Sequence, residues 1–246
     1  MATIKRLRIF AGPNGSGKST ITQIVSKYVN LGHYVNADEI KKYLTQHRYL
    51  DLADYGVVLD SDKFAMAFRG STLSGRIKDI DCTLAHISFL KTKLLLDDTY
   101  DIEDYFVSFI TSYIWAELLE SANKFTVETV MSHPSKLEFM RFAKEKGFKV
   151  YLYFVSLADP ELNKHRVRTR IMQGGHPVAE DKIVTRYNRT MENLYEALKL
   201  ADNAYLFDNS ASVPNMFATK EKGTLIIQND SIPKWFTTYV LDKTLQ

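Results

Sequence analysis

The 246-residue sequence is 45% hydrophobic, 25% charged and 12% aromatic, with 11 Gly and 6 Pro. That composition excludes collagen-like, low-complexity and wholly disordered chains, and the length suffices for one substantial domain or a domain with an insertion. A formal net charge of +3 is too small to imply nucleic-acid binding by itself. The lone Cys82 cannot form an intrachain disulfide, and no Cys/His set has zinc spacing. Met1–Arg8 carries three basic residues without a signal-peptide apolar stretch, and no run approaches the roughly 18 apolar residues of a membrane helix. The expected location is cytoplasmic, with neither a membrane nor a nucleic acid as partner.

Charge is uneven along the chain. Residues 1–44 hold seven Lys/Arg against two Asp/Glu, whereas residues 45–115 hold seven against eleven. A basic start before an acidic middle suggests an anion site followed by an added segment. Five short apolar runs read as buried strands: Leu7–Ala11, His33–Asn36, Phe125–Glu128, Lys149–Val155 and Ala204–Asp208. After the first, Ile21, Ile24, Val25, Tyr28 and Val29 recur at helical spacing, and Gly32 is the expected left-handed stop. Tyr43 to Ser121 breaks the strand–helix rhythm. Its helical patterns, Ile80–Leu96 and Tyr105–Leu119, predict a mainly helical insertion over about 45–120. Asp159-Pro160 is an N-cap followed by proline at the first helical position, and Gly174-Gly175 ends that helix. In the tail, Thr224–Gln228 and Trp235–Leu241 are two strands, or a strand and a short helix, within a C-terminal extension of about 211–246. Strand alternating with helix predicts a single α/β domain over 1–246 with a parallel sheet flanked by helices.

Residues Gly12-Pro13-Asn14-Gly15-Ser16-Gly17-Lys18-Ser19 match G-x-x-x-x-G-K-[ST] in full, after an apolar strand and before an amphipathic helix. Glycines let successive N–H groups turn inward toward phosphate oxygens, and the helix from Lys18 adds the positive end of its dipole. Lys18 is placed for the β- and γ-phosphates, and Ser19 for Mg²⁺. The motif predicts a P-loop NTPase that binds ATP and Mg²⁺ through Gly12 to Thr20. No Asn/Thr-Lys-x-Asp motif supports a GTPase, and Phe125–Glu128 is a poor match to the strand of a motor ATPase. A small-molecule kinase needs fewer parts: this loop, a carboxylate near the acceptor hydroxyl, and mobile arginines.

Asp38 stands at the C-terminal end of the second strand, the edge where ligands bind in open α/β sheets. It fits a catalytic carboxylate, and equally the cap of a helix starting at Glu39-Ile40. Glu128 holds the matching position on the third strand. Arg166 and Arg170 share a helical face, with Arg168 roughly opposite; an anion between the pair, or a solvated basic face, accounts for them. Arg186 and Arg189 follow Gly174-Gly175-His176-Pro177 and complete a basic hairpin suited to closing over a triphosphate. His176 fits a phosphate contact or a turn support, His133 has no assigned role, and Trp235 reads as packing.

Four blocks carry a family resemblance: AGPNGSGKST (11–20), VNADEI (35–40), Glu128-Thr129-Val130, and RVRTRIMQGGHPVAEDKIVTRYNRTMENL (166–194). A weaker fifth is Asp208-Asn209-Ser210 with Pro233 and Trp235. These resemble the zeta-toxin family of P-loop kinases, especially its branch of predicted ATPases. The resemblance implies a nucleoside-kinase-like fold, ATP and Mg²⁺ as cofactors, and phosphorylation of a sugar hydroxyl on UDP-N-acetylglucosamine. Carried over by position, it implies Asp38 as general base, Glu128 and Thr129 on the substrate, and Arg166, Arg170 and Arg186 as lid arginines on phosphates. A toxin role further implies a protein antitoxin. Val130 replaces a polar residue of relatives, and the segment over 45–115 is longer than usual. Another metabolite or an RNA end as acceptor therefore stays open, as does a nucleotide-dependent regulatory module.

Overall fold

The computed structural model describes residues 4–77, 79–174, 178–229 and 231–244. In chain order the first elements are β1 (Lys5–Ala11), α1 (Lys18–Ser26), β2 (His33–Asn36), α2 (Ala37–His47) and β3 (Tyr49–Asp51). Next come α3 (Ser61–Gly70), α4 (Ile80–Ala85), β4 (Ile87–Leu90), β5 (Lys93–Leu96) and α5 (Asp104–Ser121). The remainder is β6 (Lys124–Thr129), α6 (Ser135–Glu145), β7 (Phe148–Ser156), α7 (Pro160–Met172), α8 (Glu180–Leu200), β8 (Asn203–Asp208), β9 (Asn215–Glu221) and β10 (Thr224–Ile227). The chain forms two compact units, one of Met1–Gly32 with Thr126–Gln246 and one of His33–Phe125.

The first unit is a mixed α/β layer structure. Its strands run in the order β10-β9-β8-β7-β1-β6. β7 is parallel to both β1 and β8, whereas β9 is antiparallel to β8 and to β10. From Leu7 onward every residue of β1 is buried, as expected of a strand covered on both faces. On one face Phe10, Tyr153 and Val155 pack with Ile21 of α1, and Phe10 stacks on Tyr153 at 4.5 Å. On the other, the hydroxyl of Ser156 lies 3.7 Å from the sulfur of Met191 in α8.

α1 ends at Ser26, not at Gly32 as the spacing predicts. Lys27 and Tyr28 bond back only three residues, to Ile24 and Val25, which tightens the last turn. The Asn30 side chain then accepts from Gly32 N–H at 2.8 Å. Gly32, at φ 70°, therefore serves an Asx turn rather than the helix end. Asp159 caps α7 through Glu161 and Leu162 N–H, with Pro160 in the first turn, as its sequence predicts.

The second unit has an aromatic core. Phe64 of α3 meets Phe89, Phe109 and Tyr113 edge-on at 5.1–5.5 Å. Such pairs contribute about 0.5–1.5 kcal/mol each beyond burial. Beside the helices lies a three-stranded sheet in the order β3-β5-β4, and this corrects one expectation. The helix predicted over Ile80–Leu96 stops at Ala85, and β4 and β5 form a hairpin pairing Leu90 with Lys93. The reason is a change of period: Leu94 and Leu96 of β5 are buried while Lys93 and Leu95 are less so, an alternation of two that a helix cannot sort to one side. Lys91 takes φ 54° in the turn.

At the C terminus, Thr224–Ile227 is a strand and Lys234–Leu241 is helical, the second of the two predicted alternatives. β9 has no counterpart among the predicted strands. Among the described residues, no helix is long and apolar enough to cross a membrane.

Candidate functional site

The phosphate loop joins β1 to α1. Gly12, Gly15 and Gly17 adopt φ 149°, 75° and 94°, conformations that side chains disfavour. Space is equally restrictive: a Cβ on Gly12 would lie 2.0 Å from Val155 O, and one on Gly17 would lie 2.2 Å from Asn209 Nδ2. Lys18 is buried, and its Nζ donates to the carbonyls of Gly12 and Pro13 at 3.0 and 3.1 Å. The ammonium thus arches over the loop. Ser16 Oγ and Asn14 Oδ1 are buried with no hydrogen-bond partner. An orphaned buried hydroxyl is a cost unless a ligand accepts from it, and an anion would. Ser19 Oγ donates to Glu128 at 3.2 Å. A hydroxyl beside a carboxylate is an all-oxygen donor set of the kind Mg²⁺ prefers.

The other predicted residues of this unit have placements of their own. Pro13 O also accepts from Ser16 N–H at 3.3 Å, and Thr20 is exposed on α1. Thr129, at the end of β6, accepts from Met131 N–H at 3.2 Å through its hydroxyl. The structure therefore gives Thr129 a local turn to hold. Arg166 donates from Nη2 to Asn209 O at 2.7 Å. Arg170 is half-buried one turn further along α7, and Arg186 is half-buried on α8. Arg168 is set apart from that face and pairs with Glu180 at 2.6 Å. Gly175, His176 and Pro177 lie outside the described residues.

In the second unit, Asp38 is exposed in the first turn of α2. It is not the helix cap. Asn36 caps the helix by accepting from Asp38 N–H at 2.9 Å, so the Asp38 carboxylate is not engaged in capping. The capping alternative fails because the helix starts at Ala37, two residues too early for Asp38 to serve as cap.

Much of the long arginine-rich block is architectural. Tyr187 donates to Leu157 O at 3.1 Å, and burial pushes its phenol up to about 12. Thr190 donates to Val130 O and Asn193 to Met131 O. These bonds fix the turn after β6, where Met131 has φ 60°. Two buried residues beside the loop were given no role by the sequence. Asn163 of α7 donates to Asn14 O at 2.6 Å, and Asn209 donates to Ser16 O at 2.8 Å. Asn163 precedes Arg166 by three positions on the same helical face, the one spacing that could have drawn attention to it.

No protein-family model matches the sequence. An uncharacterized protein of Haemophilus influenzae is 27% identical over 178 residues, which cover 72% of this chain and 89% of that protein. Among solved structures, a chain of the AvrRxo1-ORF1:-ORF2 complex is similar with TM-score 0.50 and 17% identity, covering 92% of this chain and 61% of that one. The chain shares the fold of that structure, a mostly parallel sheet flanked by helices. The shared fold spans about three-fifths of the AvrRxo1 chain it matches, and identity at that level speaks for fold alone. A structure of the PezAT toxin–antitoxin system of Streptococcus pneumoniae is more loosely similar, with TM-score 0.45 and 14% identity over 85% of this chain and 69% of that one.

Proposed function

We propose that the chain is an ATP-dependent phosphotransferase that moves the γ-phosphoryl group to a hydroxyl of a small molecule, with UDP-N-acetylglucosamine the first acceptor to test. The observation that carries this reading is the loop itself: three glycines at positive φ, the Lys18 ammonium arched over its carbonyls, and a buried Ser16 hydroxyl with no partner. A triphosphate fills such a cradle.

In the proposed reaction Lys18 neutralises charge on the β- and γ-phosphates, and Ser16 donates to a phosphate oxygen. Ser19 and Glu128 would hold Mg²⁺, which when bound supplies charge neutralisation and orientation of the phosphates. Asp38 accepts the hydroxyl proton as the acceptor oxygen bonds to the γ-phosphorus and the bond to the ADP oxygen breaks. Arg166, Arg170 and Arg186 stabilise charge on the transferred group, and Glu128 with Thr129 contacts the acceptor. A single kinase domain over residues 1–246 with an acceptor-side insertion over about 45–120, a C-terminal extension over about 211–246, a cytoplasmic location and a protein antitoxin belong to the same proposal. It is supported by the residue blocks shared with zeta toxins.

The test is turnover of ATP/Mg²⁺ with UDP-N-acetylglucosamine by wild type, Lys18→Ala and Asp38→Ala. Lys18→Ala is expected to lower transfer by about a hundredfold or more, the scale of losing one donor to developing charge. Asp38→Ala is expected to bind ATP as wild type does and to lose transfer. Unchanged turnover in Asp38→Ala would remove that residue from the mechanism.

A further inference from the structure

We propose that Asn209 is a positioning residue that holds the phosphate loop in its phosphate-ready form and docks Arg166 beside it. This rests on the reading of the loop as a nucleotide site.

A loop that turns its N–H groups inward must turn carbonyls outward, and a buried outward carbonyl needs a donor. The protein supplies one for each of four. Lys18 serves Gly12 and Pro13, Asn163 serves Asn14, and Asn209 serves Ser16. Asn209 is distinctive because it has a second task. Its side chain donates to Ser16 O at 2.8 Å, while its own carbonyl accepts from Arg166 Nη2 at 2.7 Å. One residue therefore ties both the loop and the lid-helix arginine to the end of β8.

The mount is stiff. Asn209 N–H donates to Ser156 O at the end of β7. The preceding Asp208 accepts from Trp235 Nε1 and from Ser210 N–H, and Ser210 Oγ accepts from Ala158 N–H. The approach is close enough to dictate the neighbouring residue: a Cβ on Gly17 would meet Asn209 Nδ2 at 2.2 Å. The third glycine thus serves the asparagine as well as its own φ of 94°. Aspartate in place of Asn209 would keep the shape and lose the donor, setting a carboxylate against Ser16 O and near the bound phosphates.

The experiment is calorimetric titration of MgATP into the full chain as wild type, Asn209→Ala, Asn209→Asp, Arg166→Ala and the Asn209→Ala/Arg166→Ala double variant. Nucleotide-free thermal melts run alongside. Asn209→Ala is expected to weaken ATP at least tenfold and Asn209→Asp more, with the isosteric variant melting within a few degrees of wild type. If Asn209→Ala fails to fold, Asn209→Asp carries the comparison. The losses from Asn209→Ala and Arg166→Ala should combine to less than their product, because one removes the dock of the other. A purely structural asparagine would lower the melting temperature and leave the two losses multiplicative. Wild-type ATP binding with both Asn209 variants within twofold of it, or multiplicative losses, overturns the proposal. No ATP binding by wild type overturns the nucleotide reading beneath it, and this proposal falls as well.

Discussion

Replacing Gly12 by alanine asks the start of the phosphate loop to hold a methyl group at 2.0 Å from the Val155 carbonyl oxygen. That oxygen cannot swing aside as a side chain would, since it belongs to β7, whose pairing with β1 runs to Ala11 opposite Phe154. The residue also keeps φ 149°, a region nearly reserved for glycine. Backbone strain there costs about 1–3 kcal/mol, and overpacking costs about 1–3 kcal/mol more. Gly12→Ala should therefore lose roughly 2–6 kcal/mol, a large share of a typical domain's stability. Gly70 supplies the control, because its added Cβ meets nothing within 4 Å at the end of α3. Gly70→Ala should gain up to about 1 kcal/mol. Urea unfolding followed by fluorescence reads both units: Trp235 lies in the unit of Gly12, and Trp115 in the unit of Gly70. A Trp235 transition in Gly12→Ala within 0.5 kcal/mol of wild type (below the roughly 1 kcal/mol floor of either effect) would refute the steric reasoning.

Burial pushes the Lys136 ammonium from 10.5 down to about 8. Between those values the unfolded chain keeps a proton that the folded chain has released. Stability should therefore rise with pH from about 8 to about 10.5, by roughly 3 kcal/mol in all. Urea titrations across that window should show this rise vanish in Lys136→Met; an equal slope in the variant contradicts it. Arg168→Ala breaks a half-exposed ion pair with Glu180, so it should cost under about 1 kcal/mol and leave ATP affinity unchanged by calorimetry, in contrast to Arg166→Ala. Tyr187→Phe removes the donor to Leu157 O and should cost about 1–2 kcal/mol in urea; no loss would mean that water replaces the phenol.

The parallel core was legible because its strands are short apolar runs bounded by turns: all five predicted strands occur, each within two residues of its predicted ends. The phosphate loop was legible because its chemistry is local, with glycine positions and one lysine fixed by sequence spacing. What escaped depended on contacts distant in sequence. Asn163 and Asn209 meet the loop across 149 and 193 positions, and an asparagine alone has no periodicity to betray it. The β4–β5 hairpin was hidden because its leucines, read with the preceding helix, mimic helical spacing. The conformation at Lys91 that breaks the pattern is a backbone property. β9 was missed because Asn215, Thr219, Lys220 and Glu221 give it few apolar residues, and the neighbours it pairs with, β8 and β10, supply the ladder. In the other direction, the arginine-rich block over 166–194 reads as one functional unit, yet Tyr187, Thr190 and Asn193 spend their polar groups on backbone carbonyls.

The central claim is transfer of a phosphoryl group from ATP to a small-molecule hydroxyl. Its most direct test is mass spectrometry of ATP/Mg²⁺ reactions containing UDP-N-acetylglucosamine and a mixed metabolite extract, with wild type and Lys18→Ala compared. The account predicts a product heavier than its acceptor by one phosphate, made by wild type and absent with Lys18→Ala. ATP bound by wild type with no phosphorylated acceptor formed would contradict it.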